Sequence, residues 1–271
     1  MRRIFFVAAL LVGGNLLAQE KPVISSAVIA IDRNNDVEGA KGYIDEAGEI
    51  IANKDLSEIK SKDLAKFYFY KGKINYRVTQ NPALAAKFPT ALDQSLEGFI
   101  DLLDLERKTG RERYTNDAVS QVQYLANDIA KRGIEANSAG NFEEAYKDFL
   151  KTYELKKMPG IEMTDTNMYF NAAIMAQQGK MYDKSLAIYK DLIDMKYKGV
   201  TFSAVDTESG DTVVFPSKGQ MDRMVESGKF TSPMVEGDVR PDLYEYGLLL
   251  VRYVHAETQR CDGDHWFTYG V

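Results

Sequence analysis

Small and aromatic residues recur at fixed distances in the second half of the chain, and they mark two stretches that repeat each other. In each stretch a small residue is followed nine positions later by an aromatic one. A second small residue comes three positions after that, and a second aromatic residue four positions further on. The two stretches are offset by 40 residues at every equivalent pair: Gly133 and Ala173, Phe142 and Tyr182, Ala145 and Ser185, and Phe149 and Tyr189. This spacing predicts two successive helix pairs.

The order of small and aromatic residues resembles the tetratricopeptide repeat, whose usual period is about 34 residues. The linker 157–166 then carries roughly six extra residues. The resemblance implies an all-α fold, a right-handed α-solenoid of helix hairpins in which each pair packs only on its neighbours. Members of this family are binding scaffolds, so the resemblance also implies a non-catalytic role in protein–protein interaction.

The helical period begins at Asp36, a candidate N-cap, and an apolar face with helical spacing follows it from Val37 to Ile51. The clearest part of the repeat region, 128–196, lies in two predicted pairs, with helices over 115–138, 142–156, 167–178 and 182–196. A degenerate earlier pair is predicted over 63–79 and 90–106. There Gly72 takes the place of Gly133, and Ser95 and Phe99 take the places of Ala145 and Phe149, with an insertion near 81–89. We therefore expect helical repeats over residues 19–196.

The helical period ends at Tyr197, where apolar and polar residues begin to alternate. The alternation predicts a β-hairpin that turns at 208–211, followed by a short helix over 218–227. We expect residues 197–238 to be an insertion between repeats. Helical pattern returns over 239–254, where Gly247 stands in the place of Ala173, and this segment is predicted to be the first helix of a further repeat.

The last residues, 255–271, show no helical period and hold both histidines, the single cysteine and the single tryptophan. We expect an irregular tail, and our hypothesis is that the reading frame is broken or the chain truncated near 245–254. A terminal capping segment is the alternative.

The N-terminus has the features of a secretory signal peptide: a positive start at Arg2 and Arg3, a short apolar run over 4–12, and a small residue before Gln19. A membrane anchor is the alternative, but spanning about 30 Å of hydrocarbon takes about 20 apolar residues. We expect a signal peptide over 1–18, no membrane span after its removal, and a periplasmic or secreted protein. The short signal that ends in Ala18 and Gln19 resembles those of exported envelope proteins of Gram-negative bacteria.

Composition excludes several functional classes. The chain carries a net charge of −6, or −8 after loss of Arg2 and Arg3, so nucleic acid is not an expected partner. The chain has no His or Cys before residue 255, and a His-activated nucleophile therefore lacks its base. Since no glycine-rich phosphate loop appears in the mature chain either, we expect no catalytic residues and no cofactor.

Three groups of residues have side chains that could bind a metal ion, and each has a simpler interpretation. The acidic stretch 32–36 lacks the glycine and the bidentate Glu of a calcium loop, so we predict a helix N-cap there. Asp206, Glu208 and Asp211 are typical of a hairpin turn. His255, Cys261 and His265 do not follow a common zinc spacing. We therefore expect no metal site.

In the tetratricopeptide family the first helix of each pair lines a concave groove, and the resemblance implies a partner-binding surface there. A terminal-carboxylate clamp is not expected, because Ile134 and Ile174 stand where that clamp uses Asn. The alternative for Phe69, Ile134 and Phe170 is packing between helices. The groove positions are Lys66, Phe69, Lys73, Tyr76, Asn127, Ala130, Ile134, Asn137, Asn167, Phe170, Ile174 and Gln177.

The sequence therefore predicts an interaction scaffold of the cell envelope that binds a protein or peptide. A carbohydrate- or peptidoglycan-associated accessory protein is the alternative, and an enzyme is the third option.

Overall fold

The described part of the protein is mostly α-helical and falls into two compact units. The computed structural model describes residues 20–163, 165–197, 199–215 and 218–236, and the single positions 247, 252 and 256. The first unit comprises Met1–Ala118 and the second Val119–Val271. The described helices are accompanied by a three-stranded antiparallel sheet. The predicted mostly helical class is therefore confirmed, whereas the solenoid arrangement stays a prediction.

Helices of the first unit pack in antiparallel pairs, α1 on α2 and α3 on α5. They are α1 (Glu20–Asp32), α2 (Val37–Ala52), α3 (Ser61–Thr79), α4 (Pro82–Lys87) and α5 (Ala91–Thr109), with a 3₁₀ turn at Leu56–Glu58. The helical pattern was predicted to begin at Asp36, and the existence of α1 corrects that. Asp36 does cap α2 as predicted, because its Oδ1 accepts a hydrogen bond from the Gly39 backbone N at 2.8 Å.

α1 completes the core of the first unit. Its residues Ile24, Ala27 and Ile31 are buried and join Ile44 of α2 and Phe67 of α3 in one apolar cluster. An isolated helix of this length is marginal in water, so the burial of this stripe stabilises α1. The predicted insertion near 81–89 contains α4, which begins where the Asn81 side chain accepts hydrogen bonds from the Ala83 and Leu84 backbone N.

The helices of the second unit closely follow the predicted bounds. They are α6 (Thr115–Ser138), whose first turn belongs to the first unit, α7 (Phe142–Lys156), α8 (Thr166–Gln178) and α9 (Tyr182–Asp194). The linker between α7 and α8 is fixed at its ends, because Lys156 Nζ lies 2.6 Å from Asp165 Oδ2 and Asp165 caps α8. Both side chains of this ion pair are almost completely buried.

The repeated small and aromatic positions meet at the contact between paired helices. The Phe99 ring of α5 lies over Gly72 of α3, where an added Cβ would come within 2.8 Å of three ring carbons. Gly133 of α6 faces Phe149 of α7 in the same way, at 3.2 Å. Each glycine therefore lets the aromatic ring approach the neighbouring backbone, which explains why a small residue recurs there.

The second small residue of the pattern is a serine in two of the three helix pairs, and there its hydroxyl donates a hydrogen bond to the paired helix. Ser95 Oγ donates to the Gly72 carbonyl at 2.8 Å, and Ser185 Oγ donates to the Ala173 carbonyl at 3.0 Å. Both serines are fully buried. A backbone carbonyl oxygen has two lone pairs, so each can accept the serine bond in addition to its own helix bond.

Residues 201–236 of the second unit contain a small sheet and a helix that packs on it, and their role as an insertion between repeats stays a prediction. Its elements are β1 (Thr201–Asp206), β2 (Thr212–Phe215), α10 (Lys218–Glu226) and β3 (Phe230–Glu236), and the strand order is β2-β1-β3. The predicted hairpin β1–β2 is present, with Phe202 opposite Phe215. The third strand was not predicted. Ala204, Phe215 and Met221 form a buried cluster of their own.

Several predicted segments lie outside the described residues: the signal peptide over 1–18 and almost all of the helix over 239–254 and the tail over 255–271. Within these segments, positions 247, 252 and 256 have helical backbone.

Candidate partner-binding faces

The predicted groove residues of the first unit lie along one side of α3. Lys66, Phe69, Lys73 and Tyr76 are spaced by three or four residues, so they share a helix face, and all four are half-buried. The core of the unit lies against the other side of α3, at residues such as Phe67 and Ile74. The structure therefore brings these four predicted residues together on one surface, which we name the α3 face.

A carboxylate from α1 lies at the centre of the α3 face. Asp32 accepts a hydrogen bond from the Tyr70 hydroxyl at 2.7 Å and another from Lys73 Nζ at 2.8 Å. Desolvation alone would raise the pKa of Asp32, but the hydrogen bonds from Lys73 and Tyr70 outweigh it, and the pKa lies below its ordinary value. Burial and the Asp32 hydrogen bond raise the pKa of the Tyr70 phenol far above its usual range. Asp32 therefore stays ionised, and Tyr70 stays a donor, at neutral pH.

Phe69 is part of an aromatic cluster within the first unit. Its ring stacks on Tyr114 with centroids 4.4 Å apart and meets Phe99 edge-on at 6.1 Å. Tyr114 is held in place by Glu106, whose two carboxylate oxygens accept from the Tyr114 backbone N at 3.0 and 3.1 Å. Phe69 thus contributes to packing, and its role as a partner anchor stays a prediction.

The α3 face is more basic than the predicted residues indicate. Lys62 and Arg77 extend the row of Lys66 and Lys73 to both ends of the helix. Arg77 donates to Asn35 Oδ1 at 2.8 Å, and Asn35 belongs to the α1–α2 connection. Lys62, Arg77, Tyr70 and Asp32 were not among the predicted site residues. The first three follow the helical spacing of Lys66 and could have been found from it.

The second unit exposes a different surface on α6. Of the predicted groove residues on this helix, Asn127 is exposed and Asn137 is half-buried, and their part in a groove stays a prediction. On the same side, Tyr124 is 58% exposed and Ile134 is 55% exposed. With Lys131 these residues form a continuous stripe at helical spacing, which we name the α6 face. The sequence analysis singled out Ile134 but missed Tyr124, whose position three residues before Asn127 was the available signal.

The predicted residues of α8 contact the aromatic side chains of α9 and the segment after it. Asn167 Oδ1 accepts a hydrogen bond from the Tyr197 hydroxyl, and Gln177 Oε1 accepts one from Tyr189 at 3.2 Å. The Phe170 ring lies 5.5 Å from Tyr197 and is half-buried. One function of these three side chains is therefore internal packing, and whether they also bind a partner stays a prediction.

The acidic sequences that could suggest a cation site have internal partners in the structure. Asp206 Oδ1 accepts hydrogen bonds from the backbone N of Glu208 and Ser209, which is the pattern of a turn residue. Asp32 and Asp36 are engaged by α3 and by the start of α2. Among the residues that the structure describes, no group of three or more His, Cys, Asp or Glu is arranged to hold a metal ion.

Comparison with known proteins does not assign the chain. No protein-family model matches it, and no curated protein matches it significantly. In the described ranges, no helix is long and apolar enough to cross a membrane. The candidate surfaces therefore rest on the geometry of this chain alone: the α3 face in the first unit, and the α6 face and the α8 side chains in the second.

Proposed function

We propose that this protein is an exported, non-catalytic interaction scaffold of the cell envelope, which binds a protein or peptide along the exposed sides of its helices. The observation that carries the proposal is the α6 face. There Tyr124 and Ile134 are more than half exposed on either side of Asn127. A single exposed apolar side chain is common on protein surfaces. A helix face that combines two of them with amides and a lysine is typical of a protein interface.

The chemistry of the α6 face favours a polypeptide over a sugar polymer as the ligand. An aromatic anchor such as Tyr124 and an aliphatic one such as Ile134 bury apolar surface on a partner, while Asn127 can donate to and accept from its backbone. Carbohydrate binding is the second candidate function, and of the residues on the α6 face only Tyr124 supports it.

Photo-crosslinking in cells that export the protein tests the proposal. A crosslinking amino acid at Asn127 is expected to give discrete protein adducts, and Ile134→Lys in the same chain is expected to abolish them. The matched control carries the crosslinker at Lys147, which lies exposed on α7. Equal adducts at both positions, or none at Asn127, would contradict the scaffold function. Adducts that glycan-degrading enzymes remove would favour the carbohydrate alternative.

Export is tested separately. The intact mass of the protein recovered from the envelope is expected to match a chain that begins at Gln19. A membrane-embedded form that retains residues 1–18 would overturn the assignment of a cleaved signal.

A further inference from the structure

The row of cations on α3 is unusual for a protein with an excess of acidic residues. Lys62, Lys66, Lys73 and Arg77 lie along one side of the helix over about 22 Å, at 1.5 Å per residue. Asp32 is bonded to Lys73 of this row, and Asp63 follows Lys62 in the sequence. In the described part of the chain, Lys62 and Lys66 have no ion-pair partner within 4.0 Å. The row therefore presents net positive charge on a chain of net charge −6.

The structure itself contains a carboxylate bound to this face. Asp32 receives one hydrogen bond from an ammonium and one from a phenol, Lys73 and Tyr70, and so occupies the middle of the row. Charge-assisted bonds of this kind are roughly twice as strong as neutral ones. The geometry shows that the α3 face accommodates a carboxylate. Lys62 and Lys66 lie on one side of Asp32, and on the other side Arg77 donates to Asn35 through one nitrogen and keeps further N–H groups for a second acceptor.

The spacing of those cations suits an extended chain. Lys62 and Lys66 lie one helical turn apart, as do Lys73 and Arg77, which corresponds to roughly 6 Å. Side chains on one face of an extended peptide recur every second residue, at roughly 6.6 Å. Acidic residues at alternate positions of an extended segment can therefore meet both cations within each of these pairs. Lys66 and Lys73 are seven residues apart, roughly 10.5 Å, so the two pairs are separated by more than one such step.

We propose that the α3 face binds an extended acidic segment of a protein partner, with alternate carboxylates of the segment paired to Lys62 and Lys66 and a further carboxylate paired to Arg77. The inference rests on the proposed scaffold function and names the chemistry of the ligand. Asp32 acts as an internal competitor, because it holds Tyr70 and Lys73 in the free protein. The net negative charge of the chain disfavours the binding of such a segment at other sites.

Fluorescence anisotropy with defined peptides tests the proposal. The probe is a labelled 12-residue peptide that alternates Glu and Thr, and its counterpart alternates Gln and Thr. The chain from Gln19 is expected to bind the Glu peptide at least tenfold more tightly, with affinity that falls as salt rises. The double variant Lys62→Gln with Lys66→Gln is expected to lose at least fivefold. The matched control, Lys147→Gln with Lys190→Gln, removes the same charge from exposed positions of α7 and α9 and is expected to change affinity less than twofold.

Asp32→Asn provides a test with the opposite sign. It removes the internal competitor, so the Glu peptide is expected to bind at least threefold more tightly, while far-UV circular dichroism confirms that the helices are retained. Equal losses in the control and in the Lys62/Lys66 variant would overturn the proposal, since net charge alone would then explain binding. Binding of phosphatidylglycerol vesicles, and not of the Glu peptide, through the same lysines would overturn it in favour of a lipid surface. If crosslinks form at Asn127 but the Glu peptide does not bind, this inference fails and the scaffold function stands.

Discussion

The contact between α3 and α5 gives the sharpest prediction of stability, because glycine is required there by neighbouring backbone. A Cβ on Gly98 would lie 2.6 Å from the Gly72 backbone N and 2.9 Å from the Tyr68 carbonyl oxygen. Backbone atoms of a packed helix cannot rotate away as a side chain can. Gly98→Ala therefore forces α3 and α5 apart, and we expect it to destabilise the first unit even though alanine is the better helix former.

The magnitude follows from two opposed terms. Inserting a methyl group into a well-packed contact costs about 1–3 kcal/mol, and the rigid neighbours of Gly98 place the cost at the upper end. Replacing Gly by Ala inside a helix returns about 0.8–1 kcal/mol. The expected net loss in the free energy of unfolding is about 2 kcal/mol, which changes the unfolding equilibrium by roughly 30-fold.

Gly42→Ala is the matched control, because Gly42 is exposed within α2 and an added Cβ would have no heavy atom within 4 Å. It is expected to stabilise the same unit by about 0.5–1 kcal/mol. Hydrogen exchange measured by mass spectrometry on peptides from α3 and α5 reports the unfolding of the first unit apart from the second. If Gly98→Ala raises protection as Gly42→Ala does, the close approach of the two helices is wrong.

Three further predictions concern single contacts. Asp148 is 6% exposed and bonded to the Arg132 guanidinium at 2.7 Å, so Arg132→Ala leaves this carboxylate without its charge partner. Urea denaturation should show that the free energy of unfolding falls by about 2 kcal/mol. This loss is smaller than for a fully buried pair, because the arginine is one-third exposed. The hydrogen bond from Lys54 lowers the pKa of Glu20 from its ordinary value of 4.5, so this pair stabilises the fold above that pH and less as the pH falls through the lowered pKa. The difference in Tm between the wild type and Glu20→Gln should therefore narrow as the pH is lowered from 7 to below 4.5. Replacing residues 200–236 by a Gly/Ser linker should leave the helical signal of α6 to α9 unchanged, because the sheet has its own core; a general loss of ellipticity would contradict this.

The helices of the second unit could be predicted closely because their bounds are set by local residues. α6 ends before Gly140, whose φ of +78° favours glycine, and Asp165 caps α8. The core positions, such as Gly133 and Phe149, were likewise visible from the 40-residue offset. The signals for the helix bounds lie within one turn of the helix that they define, whereas the core positions were visible because the same pattern occurs twice in the chain.

Two elements could not be predicted because their local signals are weak. β3 contains Pro233, which removes a backbone donor, and Ser232 has a φ of +51°; both features argue against a strand in a sequence analysis. The residues of β3 are also mostly exposed and do not alternate with burial. α1 has an exposed apolar residue, Ile29, that blurs its helical stripe. Each element is stabilised by tertiary contacts, β3 by pairing with β1 and α1 by the core of the first unit.

Only part of the α3 face could be predicted from the sequence, because some of its residues come together through tertiary contacts. Lys66 and Lys73 follow the helical spacing of α3, and the extension of that row to Lys62 and Arg77 needs nothing beyond periodicity. Asp32 lies 41 residues before Lys73, and the two meet only because α1 forms and packs against α3. A charge pair of this separation depends on the fold, and no local pattern predicts it.

The helix pairs α3–α5 and α6–α7 share the same contact between a glycine and an aromatic ring, but α3 and α6 expose different side chains. This difference bears on function. The requirement for a small residue under an aromatic ring holds in α3 with α5 and in α6 with α7, because it sets the distance between paired helices. No such requirement acts on the outer side, where α3 carries cations, α6 carries an apolar and amide stripe, and the amides of α8 bind tyrosines of their own unit. If partner recognition resides on these outer sides, exchanging Lys62 and Lys66 for glutamine should change ligand preference without changing the free energy of unfolding. Gly98→Ala should lower the free energy of unfolding without changing ligand preference. If either variant changed both quantities, the exposed faces and the core would not be independent.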